Sequence, residues 1–224
     1  MKKYKYVLQF KDKPVSRYIL NSSLDYAWRY TPSKNNFMNY NVHVLGPQQS
    51  HLKNSLYDKC LQQQMDANGE KFESLSVYDK YLDDTDQEPN FRNLLSAYYI
   101  LIYTQRVVKS TNVIQQTNIS RGMVYEQMFE KSTEKYNAAN NLARFEAGMF
   151  SANFASKCLS LGADVSYIGC MPFKLEKWSE DEWSFITDPP IIIQLVGHGD
   201  IYKKDVINPS DDKKPEFNEV IKFL

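Results

Sequence analysis

The segment Tyr98–Thr104 reads YYILIYT, a run of aromatic, aliphatic and β-branched residues with no charge in it. Such a run suits a central strand buried on both faces, because an edge or half-exposed strand would alternate apolar with polar residues. The rest of the chain has to supply neighbours and cover for it.

Residues 16 to 30 read as a helix. Ser16 can cap it, Ile19, Leu20, Leu24, Ala27 and Trp28 share a face, and Pro32 forces Thr31 out of the helical region. After the polar loop SKNN, Tyr40–Leu45 alternates like a half-buried strand and is closed by Gly46-Pro47. Residues 48 to 67 form a second helix ending near Asn68-Gly69, and 70 to 90 is acidic, aromatic and irregular. Val107 to Gly122, rich in Gln, Asn, Ser and Thr, reads as a surface excursion or a flap against a second copy.

From Asn137 to Leu161 the pattern is helical, with Leu142, Phe145, Met149, Ala152, Cys158 and Leu161 on one stripe and Gly162 as terminator. The small residues Ala147, Gly148, Ser151, Ala152, Ala155 and Ser156 allow another backbone to approach, either in the core or at a subunit interface. Asp164–Gly169 is a short extended run into a turn, and Ile191–Val196 is the last clear strand before Gly197-His198-Gly199. The tail from Asp200 to Leu224 alternates charge and proline.

With 224 residues and 42% hydrophobic composition, the chain can bury a sizeable core as one large domain or two small ones. Lys+Arg and Asp+Glu both number 27, so there is no long-range field to hold a nucleic-acid backbone, and any anion site must be a local pocket. No apolar run is long enough to span a bilayer, and the basic start MKKYKYVLQFKDK is broken by Gln9 and Lys11 too early for a signal peptide. Cys60, Cys158 and Cys170 form no CxxC pair, and an odd count suits a reducing compartment. The expectation is a cytoplasmic protein with no nucleic-acid or membrane partner.

Phosphate-cradling GxGxxG and GxxxxGK[ST] motifs are absent, as are HExxH and GxSxG. Three scattered histidines make neither a triad nor a metal site, and His43 reads as a strand residue with a satisfied hydrogen bond. Without a self-contained catalytic constellation, an organic cofactor becomes the better source of chemistry.

Lys13-Pro14-Val15, followed by a helix and then Ala27-Trp28-Arg29-Tyr30-Thr31-Pro32-Ser33-Lys34-Asn35-Asn36, resembles the opening of the FMN-dependent nitroreductase family, KPV then A-x-x-x-x-PSxxNxQPW. Pro32, Ser33 and Asn36 match, Tyr40 takes the Trp place, and Met38-Asn39 departs from Gln-Pro. Ala152-Asn153-Phe154-Ala155 through Leu161-Gly162 to Tyr167-Ile168-Gly169-Cys170 resembles the family's AxQNLxLAAxxLGLGxxWIGG stretch, and Ile193–His198 its terminal strand ending in G-[YH]. The blocks run in family order from Lys13 to Gly199, with residues 200–224 as a C-terminal extension to a single domain spanning 1–224.

The resemblance implies an α+β fold: a nitroreductase-like mixed, mainly antiparallel sheet flanked by helices, in an entwined homodimer with FMN at each subunit interface. It implies flavin contacts at Ser33, Lys34 and Asn36, and backbone donors at Gly169 and Cys170 facing the N5 and O4 region. Cys170 replaces the more usual Gly; packing is the plainer role for its thiol, redox tuning the other. The family's N-terminal RRS-x-R phosphate grip is missing, since Tyr4-Lys5-Tyr6-Val7-Leu8 stands in its place. Lys5 remains as a cationic contact. For the second phosphate contact, the pairs Lys203-Lys204 and Lys213-Lys214 both qualify by position, and a solvated charge cluster describes either equally well.

The implied activity is transfer of reducing equivalents from NADH or NADPH through flavin N5 to a nitroaromatic, quinone or related small-molecule acceptor, in ping-pong order and with no side-chain nucleophile. Two alternatives stay open: a flavoenzyme of the same fold with other chemistry, such as dehalogenation or oxidation, and a non-catalytic dimer that has lost flavin binding.

Overall fold

The computed structural model describes residues 7, 9–33, 38–69, 71–85, 91–106, 134–169, 171–172, 175–178, 180–188 and 190–200; for 134–140 and 181 only the backbone is described. Among them the elements run β1 (Phe10–Lys11), α1 (Arg17–Tyr30), β2 (Tyr40–Leu45), α2 (Ser50–Asn68), α3 (Leu75–Asp84), α4 (Asn93–Ser96), β3 (Tyr99–Gln105), α5 (Glu134–Ser160), β4 (Asp164–Ile168) and β5 (Pro190–Gly199).

Local chemistry sets most of these boundaries. Ser16 caps α1 by accepting from the Ile19 N–H, and Thr31 is extended ahead of Pro32. Gly69 ends α2 in the left-handed region at φ 67°. Gly162 does the same after α5 at φ 89°, while the Ala163 N–H reaches back to the Cys158 carbonyl at 3.0 Å. That 6→1 bond is a Schellman closure.

β3 is the centre of the sheet, and every one of its residues is buried. It pairs β2 on one side and β5 on the other, while β5 also pairs β4 and β1. All pairings among the described residues are antiparallel. Successive residues of β3 point to opposite faces, so Ile100 and Ile102 join one core and Tyr99, Leu101 and Tyr103 the other. The first core packs α2, α3, α4 and the Trp178 and Trp183 turns against the sheet, and the second packs α1 and α5. Helices therefore cover both faces of one antiparallel sheet, the α+β architecture expected.

Three expectations need correction. Within 70 to 90, Leu75–Asp84 is a helix, because Ser74 caps it through the Val77 N–H and Tyr78 and Leu82 bury against α2 and Phe72. Trp28 does not join the buried face of α1, which is Leu20, Ser23 and Ala27; it is 61% exposed. In α5 the inward face is Ala143, Glu146, Ala147, Phe150, Phe154 and Cys158, whereas Phe145 is 66% exposed and Ala152 is exposed. This helix carries apolar residues all round, so periodicity alone does not fix which side turns inward.

Residues 107–122 and the tail beyond Asp200 lie outside the described residues. No helix among the described residues is long and apolar enough to cross a membrane. Cys60 and Cys158 are both buried.

Candidate functional site

The loop joining α1 to β2 is held by a buried carboxylate. Glu146 lies on the inward face of α5 and is 1% exposed. Its Oε2 accepts from the Ser33 hydroxyl at 2.9 Å, the Asn39 N–H at 3.1 Å and Asn39 Nδ2 at 3.1 Å. Ser33 Oγ in turn accepts from the Met38 N–H at 2.8 Å. Met38 adopts φ 50°, the left-handed region that a non-glycine residue enters only when its surroundings demand it. Asn153, one turn beyond Phe150, donates to the Tyr30 carbonyl and to Thr31 Oγ1, fixing the start of the same loop.

Beside the loop runs an open groove of about 760 Å³, lined by Leu24, Trp28, Met38, Tyr40, Val42 and Phe150, with Arg29 and Arg106 adding charge. The Tyr40 phenol is pushed well above its ordinary range, first by burial and then by the negative charge of Glu146, with Arg106 acting against them. It stays a neutral hydroxyl at any physiological pH. Arg29 bonds Asp25 one turn earlier on α1.

Under α5 lies a second polar cluster. Tyr103, wholly buried, donates its hydroxyl to Gln194 Oε1 at 2.6 Å. Gln194 Nε2 donates to the Ser151 carbonyl at 2.9 Å and to the Tyr167 hydroxyl at 3.1 Å, and Tyr167 donates to the same carbonyl at 3.2 Å. This ties α5 to β3, β4 and β5 just before the chain reaches Gly169. Gly169 is exposed, and a Cβ built there meets nothing within 4 Å. Its surroundings leave room for a flat ligand to approach the backbone.

Of the residues singled out from sequence, Ser33 and Gly169 are described, whereas Lys5, Lys34, Asn36, Cys170, Lys203, Lys204 and Lys213 lie outside the described residues. The two described ones are not neighbours. Ser33 is tied to the β2 side of the sheet and Gly169 follows β4 at the other, in the order β2, β3, β5, β4. His43 Nε2 lies 3.1 Å from Thr104 Oγ1, the satisfied bond expected of it, and burial lowers its pKa.

Glu146 and Gln194 were not singled out from sequence, and Asn39 and Tyr167 appeared there only as members of the family-like blocks, without these contacts. The one available signal was a charged residue at a core phase of a long helix, hidden by the mistaken phase of α5.

No protein-family profile and no curated protein sequence matches the chain. Solved structures do. A Staphylococcus epidermidis protein assigned as an NAD(P)H:FMN oxidoreductase superposes with TM-score 0.60 at 13% identity over 98% of this chain and 92% of its own. A nitroreductase family protein of Streptococcus pneumoniae gives 0.60 at 16% identity over 100% and 97%. A BluB-like flavoprotein of Clostridium difficile gives 0.59 at 15% identity over 99% and 95%. The chain has the nitroreductase fold.

Proposed function

We propose that the protein is an FMN-dependent oxidoreductase, working as a cytoplasmic homodimer that draws on NADH or NADPH and delivers to a small-molecule acceptor such as a nitroaromatic or quinone in ping-pong order. The observation that carries the reading is the likeness of the whole chain to structures described as an NAD(P)H:FMN oxidoreductase, a nitroreductase family protein and a flavoprotein. When bound, FMN supplies the chemistry, accepting hydride at N5 and passing the electrons onward.

The described residues fit such a group. The groove beside the loop offers aromatic and aliphatic contact for a ring face, and Gly169 leaves its backbone open to close approach. The Ser33 proton is spent on Glu146 and one lone pair on Met38, so toward a ligand its hydroxyl acts as an acceptor only. An imide N–H or a ribityl hydroxyl suits it. Lys34 and Asn36 lie within three residues of Ser33 in the sequence, and Lys5 with Lys203-Lys204 or Lys213-Lys214 are the candidate cations for a phosphate.

A second copy is part of the same reading. Three strand spacings, about 14 Å, separate the axes of β2 and β4, so within one copy the Ser33 loop and the Gly169 turn stand on opposite flanks of β3 and β5. The loop of one copy and the turn of its partner would share the ligand. Trp28 at 61% exposure and Phe145 at 66% provide apolar surface for the partner.

The test is direct. Purified protein mixed with FMN should retain yellow colour through gel filtration at dimer mass, and the colour should bleach anaerobically on adding NADH or NADPH. A preparation that takes up no FMN overturns the flavin reading, and a monomeric elution overturns the dimer.

A further inference from the structure

Glu146 stands where the α5 core phase calls for an apolar side chain, between Ala143 and Phe150 and next to Ala147, all buried. A buried carboxylate is tolerated only where hydrogen bonds replace its lost hydration. Here three donors converge on one oxygen, and all three belong to the two ends of a single loop: Ser33 at its start and Asn39 at its finish, each within 3.1 Å of Oε2. The Met38 N–H closes the ring through Ser33 Oγ. Ser33, Met38 and Asn39 are thereby held together at one point.

We propose that Glu146 is a positioning residue for flavin: by gathering Ser33 and Asn39 on one oxygen it holds the Ser33 hydroxyl and the backbone at Met38 and Asn39 ready for the ligand, without touching the ligand itself. The proposal rests on the flavin reading. The logic is preorganisation. A loop already held in its binding shape loses little freedom when ligand arrives, whereas an untied one must be ordered at the expense of affinity. The left-handed backbone at Met38 agrees with this, since nothing intrinsic to methionine favours φ 50°.

Coupling should be strong in both directions. Removing the donors takes hydrogen bonds from a buried carboxylate, and removing the charge frees two donors of Asn39 and the hydroxyl of Ser33. Glu146→Gln keeps an acceptor oxygen in the same place but loses the charge and adds donors of its own. It should therefore preserve part of the arrangement that Glu146→Ala abolishes.

The experiment uses the full chain with Glu146→Ala, Glu146→Gln, Ser33→Ala, the double variant Ser33→Ala/Glu146→Gln, and Phe154→Leu as a core control on the same helix. Two quantities are read: amide exchange of peptides covering 33–39 without flavin, and FMN affinity from quenching of flavin fluorescence. Glu146→Ala should speed exchange at Met38 and Asn39 at least tenfold and weaken FMN at least tenfold. Glu146→Gln should fall between it and the parent, and adding Ser33→Ala to Glu146→Gln should weaken FMN further, because it removes both the remaining tie and the hydroxyl offered to the ligand. Phe154→Leu should lower the melting temperature and leave affinity within twofold.

Unchanged exchange in Glu146→Ala overturns the proposal. So does faster exchange with FMN affinity intact, or a Phe154→Leu variant that loses flavin as severely as Glu146→Ala. If the parent protein binds no FMN, the flavin reading falls and with it the grip, while the exchange measurement still decides whether Glu146 shapes the loop.

Discussion

Gly197 occupies a position in β5 that no larger residue can share with Phe10. A Cβ built on Gly197 falls 2.6 Å from Phe10 Cγ and 2.9 Å from Phe10 Cβ, and closer still to Cδ1. Phe10 is 2% exposed in the core and belongs to β1, whose pairing with β5 sets Phe10 opposite Gly199. Its ring has no open side to swing toward. Gly197→Ala must push the ring off its site or lift β1 from β5, a strain of about 1–3 kcal/mol for a methylene-sized excess in a packed interior. Phe10→Ala removes the ring at a cost of about 3–5 kcal/mol and leaves a cavity. In that background two of the three crowding atoms are gone, and the Gly197→Ala methyl enters the space left behind. The Cβ of residue 10 still stands 2.9 Å away, so the small shift it demands offsets the lower entropy of the unfolded chain and the second substitution should lie within about 0.5 kcal/mol of neutral. The double-mutant cycle should show coupling of about 1–3 kcal/mol, with the double variant more stable than the two single losses imply. Urea unfolding followed by the fluorescence of Trp178 and Trp183, which are 1% and 0% exposed, measures it. Additivity within about 0.5 kcal/mol would refute the steric reasoning.

Lys53 makes stability depend on pH in alkaline solution. Its Nζ donates to the Ala97 and Tyr98 carbonyls at 2.7 and 2.9 Å, and burial lowers its pKa to about 8 from 10.5. Between those values the unfolded chain holds more protons than the folded one, so unfolding free energy should rise with pH across pH 8 to 10.5 and show no Lys53 contribution to the slope below it. The rise should be about 1–2 kcal/mol after solvent screening; Lys53→Met should lose it, and equal slopes in both proteins would contradict the assignment. Gln194→Leu should cost about 2–3 kcal/mol by stranding the Tyr103 hydroxyl and removing a donor from the Ser151 carbonyl. Adding Tyr103→Phe should return about 1 kcal/mol in the same urea assay, and a further loss would show that the hydroxyl finds another partner.

The local elements were legible because their signals are local. Ser16, Pro32, Gly69 and Gly162 act within a turn of where they stand, and YYILIYT needs a buried place in any fold it joins. The missed helix Leu75–Asp84 had its cap, Ser74, in plain view, but a short helix among acidic and aromatic residues carries little periodicity of its own. The phase of α5 failed for a different reason, since Phe145 and Phe150 weigh equally in a hydropathy pattern and only the sheet beneath the helix distinguishes them.

The amino-acid sequence by itself determined the start of α1 at Ser16, its end before Pro32, the ends of α2 and α5 at Gly69 and Gly162, and that one strand must be central. Tertiary structure alone decided that Glu146, more than a hundred residues away along the chain, ties both ends of the Ser33 loop, that Gly197 makes room for Phe10, and that Ser33 and Gly169 belong to opposite sides of the sheet. Capping and turn chemistry depend on neighbours in sequence, whereas buried charge, steric exclusion and strand order arise only when distant segments pack together.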